Sequence, residues 1–337
     1  MRVMMLGPFP RSLNRIDGGV AAAVTYLAQA LVLQSNLELI GIRVAKSSDC
    51  DSTQSREFDW PVVDLPLDAG SVSTLFWRQK KRFREFVDQY RPDIVHAQGA
   101  DLSGLLAVGC NVPAVVTIHG VLGECAKLQT DPVVKARDML QSFLTEKPTV
   151  RRAHDVISIS PYIAHYYAND IRGRIHDIPN PVAPHFFDVR RVPERGRFLF
   201  AGRIAKGKGV LELVRAAGLN PDCVQKIVLA GGTADKVYEN EVRQEVQRSG
   251  LASRVDFAGL LDEPTLLSEF ARAEALVLPS YQETAPMVVQ QAMAAGLPVL
   301  ATRVGGIPFQ IEDGISGLMF DAVDVPGLAA LFRQRQD

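Results

Sequence analysis

Residues 282–306 read QETAPMVVQQAMAAGLPVLATRVGG. The stretch has the order loop, helix, strand. Pro286 suits a first helical position, where its missing N–H is not needed, and Gly296 with Pro298 ends the helix before the apolar run PVLAT. Glu283 stands at the mouth of the helix and Gln291 follows eight residues later. The free amides of a first helical turn favour anions, so Glu283 together with the amides of Met287 and Val288 could grip a polyhydroxylated, phosphorylated ligand. The other reading is that Glu283 only caps the helix.

Working outward from this unit, the second half of the chain keeps the same alternation. Strand FLFAG precedes helix GVLELVRAAGL, strand KIVLAGG precedes helix KVYENEVRQEVQRSG, and strand VDFAG precedes helix EPTLLSEFARA and strand ALVLPS. After the opening stretch come strand GLMFD and a final short helix. The first half alternates similarly: strand RVMML, helix GGVAAAVTYLAQALVLQ, strand LELIGIRVA, a polar loop over 47–56, helix LFWRQKKRFREFVDQY, strands DIVHA and AVVTIHG, then DVISIS and helix PYIAHYYAND. The helix LFWRQKKRFREFVDQY has an apolar face of Phe76, Phe83, Phe86, Val87 and Tyr90. Such alternation predicts parallel sheets covered by helices.

Between these halves, IHDIPNPVAPHFFDVRRVPERGR carries four prolines from Pro179 to Pro193 and little periodicity, which places a linker there. The predicted architecture is α/β: two doubly wound Rossmann-like domains, residues 1–185 and 190–337, facing a central cleft. A chain of 337 residues suits two such domains, and 47% apolar with 22% charged residues is ordinary for a soluble protein. A net charge of −1 does not point to nucleic acid as a partner. The start MRVMMLGPFP reads as a strand rather than a leader, and Cys50, Cys110, Cys125 and Cys223 form no C-x-x-C pair. The expected location is cytoplasmic. The basic run RQKKRFREF is read as a solvated helix face, with weak peripheral binding to the inner membrane face as the alternative.

Several positions could carry chemistry. FAGRIAKGKGVLELV sets Arg203 and Lys208 five apart in a loop opened by Gly202, between a strand and a helix. Two cations and the amides of a helix start suit a diphosphate, although an ordinary basic loop has the same look and the Walker A spacing is absent. Gly18 and Gly19 precede the first long helix and would let a phosphate or sugar approach the backbone; the pair also fits a flexible turn. No G-x-G-x-x-G is formed there, which argues against a nicotinamide or flavin enzyme. His119 ends a strand before Gly120, where parallel sheets place ligand-binding residues, while His96 sits similarly but with no evident partner.

Taken together, GGV, PDIVHAQG, VPAVVTIHG, VISISPYIAHYY, IPNPV, FAGRIAKGKGVLELVRAA, IVLAGG, RVDFAGLL and the 275–320 block ALVLPSYQETAPMVVQQAMAAGLPVLATRVGGIPFQIEDGISGLMF resemble, in this order, the retaining GT-B glycosyltransferases of the glycogen-synthase-like, or group 1, superfamily. The resemblance implies transfer of a sugar from a nucleotide-sugar donor with retained anomeric configuration, without metal or further cofactor. It implies that Arg203 and Lys208 neutralise the donor diphosphate, that His119 contacts the donor sugar, and that Gly18 and Gly19 lie near the phosphates. Glu283 matches the first Glu of an E-x7-E motif and would hold sugar hydroxyls, with Thr284, Ala285, Pro286, Met287 and Val288 beside it. Residues from Val255 to Leu260 would line the base pocket. The acceptor, whether saccharide, lipid-linked or small molecule, would meet the first domain, through the segment 123–148, in which no chemistry is legible.

Two departures stand out. The second Glu of the motif is Gln291 here, so the family's ribose carboxylate has become an amide that keeps hydrogen bonding but loses charge. The family's closing helix, which crosses back to the first domain, is expected to be short or missing, as the sequence stops at Asp337. These departures keep open a catalytically impaired nucleotide-sugar-binding or partner subunit on the same scaffold; a nucleotide-sugar epimerase ranks below both.

Overall fold

A computed structural model describes residues 1–13, 16–50, 58–68, 70–129, 131–233 and 235–334. The chain divides into two compact units, one of residues 1–16 and 20–181, the other of residues 17–19 and 182–337.

The first unit holds seven parallel strands: β1 (Arg2–Leu6), β2 (Glu38–Lys46), β3 (Val62–Leu67), β4 (Ile94–Gln98), β5 (Ala114–Ile118), β6 (Asp155–Ser158) and β7 (Arg174–Asp177), in the order β3-β2-β1-β4-β5-β6-β7. The interior strand β1 alternates strictly. Met4 and Leu6 face a core shared with Phe83, Phe86, Val95 and Val116, while Val3 and Met5 face one built with Phe9, Val24, Ala28 and Trp60. Period-two burial of this kind is what a sheet with helices on both faces requires.

Its helices are α1 (Gly19–Val32), α2 (Trp77–Tyr90), α3 (Leu102–Ala107), α4 (Leu122–Lys127), α5 (Pro132–Gln141), α6 (Lys147–Arg152) and α7 (Pro161–Tyr166). A π-helical turn, Ser142–Glu146, joins α5 to α6. Helix α2 buries Phe83 and Phe86 and leaves Arg78, Lys81, Arg82 and Arg84 exposed. The loop expected at 47–56 begins as a short 3₁₀ turn, Ser47–Asp49, and its positions 51–56 lie outside the described residues.

The second unit has six parallel strands: β8 (Arg197–Ala201), β9 (Lys226–Ala230), β10 (Val255–Gly259), β11 (Ala275–Leu278), β12 (Val299–Thr302) and β13 (Leu318–Phe320), in the order β10-β9-β8-β11-β12-β13. Helices α8 (Val210–Leu219), α9 (Lys236–Arg248), α10 (Glu263–Arg272), α11 (Met287–Ala294) and α12 (Val325–Gln334) cover it. Phe198 of β8 stacks on Phe332 of α12 with ring centroids 4.5 Å apart, so the last helix is part of this core.

The linker reading needs one correction. Ile175, His176 and Asp177, assigned to the linker, belong to edge strand β7, and the boundary between the units falls at Pro181 and Val182. All four β7 residues are exposed, so the strand has no apolar signature to read. Among the described residues no helix is long and apolar enough to cross a membrane.

Candidate functional site

All strands of the second sheet run the same way, so the loops after β8, β9, β11 and β12 gather at its carboxyl edge. Glycines let them lie closer than any side chain would allow. A Cβ at Gly209 would sit 2.0 Å from the Pro279 carbonyl oxygen, one at Gly231 would sit 1.9 Å from that of Gly202, and one at Gly305 would sit 1.9 Å from that of Glu283. Gly209 (φ +66°) and Gly305 (φ +52°) are also left-handed, so glycine is needed there on both counts. Backbone bonds from Tyr281 N to Gly207 O (2.8 Å) and from Gly306 N to Glu283 O (2.9 Å) tie the loops together.

This packing brings Lys208 to Glu283. Lys208 Nζ donates to Glu283 Oε1 at 2.5 Å, and Ser280 Oγ donates to the same oxygen at 2.7 Å. Thr302 Oγ1 donates to the Ser280 carbonyl at 2.6 Å, fixing the loop that presents the carboxylate. The Glu283 side chain is 10% exposed and that of Lys208 26% exposed, so the pair is shielded but reachable. Among the described residues, Oε2 of Glu283 receives no hydrogen bond. Glu283 is therefore an ion-pair partner rather than a helix cap; Pro286 is the N-cap, with ψ 118°, and the helix starts one residue later than the sequence suggested.

No side chain caps α11. Its first turn presents the amides of Met287 and Val288 without intrahelical partners, beside the buried residues Thr284 and Ala285. Gln291, one turn on, is 6% exposed, and its amide makes no hydrogen bond among the described residues. Arg203 follows Gly202 at the end of β8, exposed and in no ion pair among the described residues. A free guanidinium, a shielded Lys–Glu pair and uncapped helix amides thus share one edge of one sheet.

Leu260 follows β10 at this same edge, but Val255 begins that strand at the far end. Five residue steps along the strand separate them by roughly 16 Å, and Val255 opens instead onto a surface cavity of about 370 Å³ with Arg243 and Phe257. The structure does not bring Val255 to the other candidates.

In the first unit, His119 follows β5 at the carboxyl edge of its sheet, and its Nε2 lies 2.8 Å from Gln98 Oε1. Its Nδ1 is closed off from solvent without a hydrogen-bond partner in normal geometry, with the Asn180 side chain beside it. Burial, reinforced by nearby His96, lowers the His119 pKa to about 4. His96 does have partners. Its Nε2 lies 2.8 Å from Thr117 Oγ1 and 3.0 Å from Gln98 Nε2, and burial lowers its pKa to about 4. Thr117, His96, Gln98 and His119 form one chain of bonds in which both imidazoles are neutral at pH 7. Gly18 and Gly19, which group with the second unit, lie at the start of α1; Gly18 has φ +94° with open space around it.

Sequence reading missed Ser280, Thr302 and Gln98. The first two lie at strand ends, which is a signal; Gln98 becomes meaningful only when β4 and β5 pair in register and Gln98 stands opposite Thr117.

Comparison with known proteins fits this geometry. Residues 183–334 match the family model for glycosyl transferases group 1, and residues 17–186 match that for glycosyltransferase family 4. A D-inositol 3-phosphate glycosyltransferase of Corynebacterium diphtheriae is 35% identical over 130 residues, which is 37% of this chain and 30% of that protein. A glycogen synthase of Mycobacterium tuberculosis is 29% identical over 263 residues, 74% of this chain and 61% of that protein. The matched segments thus span from about a third to under two thirds of those relatives.

Among solved structures, a sucrose-phosphate synthase from Thermosynechococcus elongatus superposes with a TM-score of 0.81 at 21% identity, over 99% of this chain and 89% of that one. Anabaena HepE, solved in complex with UDP-glucose, gives 0.73 at 17% identity, over 100% of this chain and 90% of that one. With family models matching both halves and the two parallel sheets of the GT-B fold, the chain belongs to the group 1 glycosyltransferases.

Proposed function

We propose that this protein transfers a sugar from a nucleotide-sugar donor to a hydroxyl acceptor with retention of anomeric configuration, using its own cations rather than a metal ion to meet the leaving diphosphate. The observation that carries the reading is the Lys208–Glu283 pair held at the carboxyl edge of the second sheet, beside the uncapped start of α11. In this reading Arg203 and Lys208 take up charge as the sugar–phosphate bond breaks, which is electrostatic stabilisation of the transition state. Lys208 waits on Oε1 of Glu283 until a diphosphate shares its charge. Oε2 is the oxygen that accepts from a sugar hydroxyl, and the amides of Met287 and Val288 face sugar and phosphate. Gln291 takes the donor ribose. His119, neutral and half-buried, positions the sugar by hydrogen bonding rather than acting as an acid at pH 7. That HepE was solved with UDP-glucose supports a nucleotide-sugar donor here by kinship of fold.

A thermal-shift panel of UDP, GDP, ADP and dTDP tests the reading and names the base. A diphosphate at a hundred times its Kd stabilises by about 2.7 kcal/mol, a rise of about 5–10 °C for a domain of this size. Arg203→Ala should abolish the rise. If none of the four moves the melting temperature, the reading fails. A second reading, a binding subunit without turnover, is motivated by the neutral Gln291. It predicts the same shift but no release of nucleoside diphosphate from any sugar donor, with or without added acceptors.

A further inference from the structure

The segment 122–147 of the first unit carries a buried acid that the donor site does not use. Glu146, 3% exposed, ends the π-helical turn Ser142–Glu146. It forms no ion pair among the described residues. Four neutral donors surround it instead: the Leu122 amide at 2.7 Å and Tyr167 Oη at 2.6 Å on Oε1, and the Gly123 amide at 3.3 Å and Ser142 Oγ on Oε2. Both oxygens therefore serve as acceptors.

We propose that Glu146 is a positioning residue that caps α4 from outside its own helix, fixes the loop from Ile118 to Gly123, and so sets where His119 stands. The N-cap of α4, Val121, offers no side-chain bond, so the amides of Leu122 and Gly123 depend on Glu146. Gly120 has open space around it and cannot stiffen the loop by packing. The loop is therefore held at one end by the β5 ladder and at the other by this carboxylate, with His119 between them and touching Gln98.

Four donors converge on its two oxygens, more than the single acceptor oxygen of an amide could serve. Its charge reaches further: Asp101, the N-cap of α3, has its pKa raised, chiefly by burial and also by Glu146. A π turn, a form concentrated at functional sites, is what delivers the acid here.

The proposal rests on the transferase reading only for its activity arm. Glu146→Gln offers one acceptor oxygen for four donors. Amide hydrogen exchange over 121–125 should quicken at least about ten-fold, and the His119 ring signals in ¹⁵N NMR should move. With the nucleotide sugar that gives the largest thermal shift, kcat should fall about ten-fold while the donor KM stays within about two-fold. The diphosphate thermal shift depends on the second unit alone and should persist, showing that the variant is folded.

Should Glu146→Gln fail to fold, Ser142→Ala removes one donor only and should give the same pattern at smaller size. Unchanged exchange and ring signals in the folded variant would overturn the proposal. Faster exchange with unchanged kcat would overturn it as well, by reducing Glu146 to a structural cap. A wild-type protein without turnover would sink the transferase reading and leave the exchange and NMR arms to judge Glu146.

Discussion

At the scale of single residues, Gln291 is the position where this chain departs most instructively from its family's pattern. The residue is 6% exposed, and its side-chain amide makes no hydrogen bond among the described residues. A hydrogen bond to a charged group is worth about 1.5–3 kcal/mol and a neutral one about 1 kcal/mol. Gln291→Glu should therefore tighten nucleoside diphosphate binding by about 1–2 kcal/mol, roughly 5- to 30-fold in Kd by calorimetry. Unchanged or weaker affinity would sink the assignment of this position to the ribose. Glu283 itself was legible from its place before a helix, but its partner was not. Lys208 lies 75 residues away, and only the stacking of the β8 and β11 loops brings the two together. His96 shows the reverse: it has no partner along the sequence, yet the register of β4 against β5 supplies Thr117.

At the scale of elements, long alternating segments were readable and short ones were not. Every strand of the second unit except β10, VDFAG, carries an apolar run of three or more residues. On the face drawn for α2, Phe83 and Phe86 are buried as expected, whereas Phe76 is buried but precedes the helix as its left-handed N-cap. Strand β3, VVDLPL, escaped because Pro66 argues against a strand; it is tolerated because β3 is an edge strand with only β2 beside it. Helices α3, α4 and α6, of six residues each, are too short to show a 3.6-residue face. The close loop packing was invisible, since a glycine in a sequence does not say what approaches it. A paired substitution checks that packing. Gly305→Ala and Gly314→Ala both place Ala at positive φ, at +52° and +79°, but only Gly305 has an atom in the way. Gly314→Ala should cost about 1 kcal/mol. Gly305→Ala should cost at least about 2–3 kcal/mol and weaken the diphosphate shift, because the Glu283 backbone must move. Equal melting temperatures for the two variants would refute the close-approach argument.

At the scale of the whole molecule, the two units carry different titrating groups, and this separates their responses to acid. His96 and His119, both lowered to about 4 by burial, lie in the first unit. The carboxylates of the second unit whose pKa values are displaced, Glu194, Glu239, Asp262 and Asp313, are all lowered by their hydrogen-bonding partners. They titrate below the range where histidines act. A histidine whose folded pKa lies below its unfolded value of about 6.5 is neutral in the native state and protonated in the unfolded one. Stability is then fully present above pH 6.5, falls as pH drops towards 4, and levels off below that. At pH 5.5 each buried histidine removes about 1 to 2 kcal/mol, so the pair together costs the first unit about 2 to 4 kcal/mol. A fragment of residues 182–334, which has its own sheet and core, should fold alone and bind the diphosphate chosen by the panel. Its urea midpoint should change little between pH 7 and 5.5, while that of a fragment of residues 1–181 should fall. Replacing His96 by Gln in the second of these fragments should roughly halve the fall, since one of its two lowered histidines is gone. Equal acid sensitivity in the two fragments would mean that the buried histidine chain does not set the pH response, and an unfolded 182–334 fragment would show that its core is not self-sufficient.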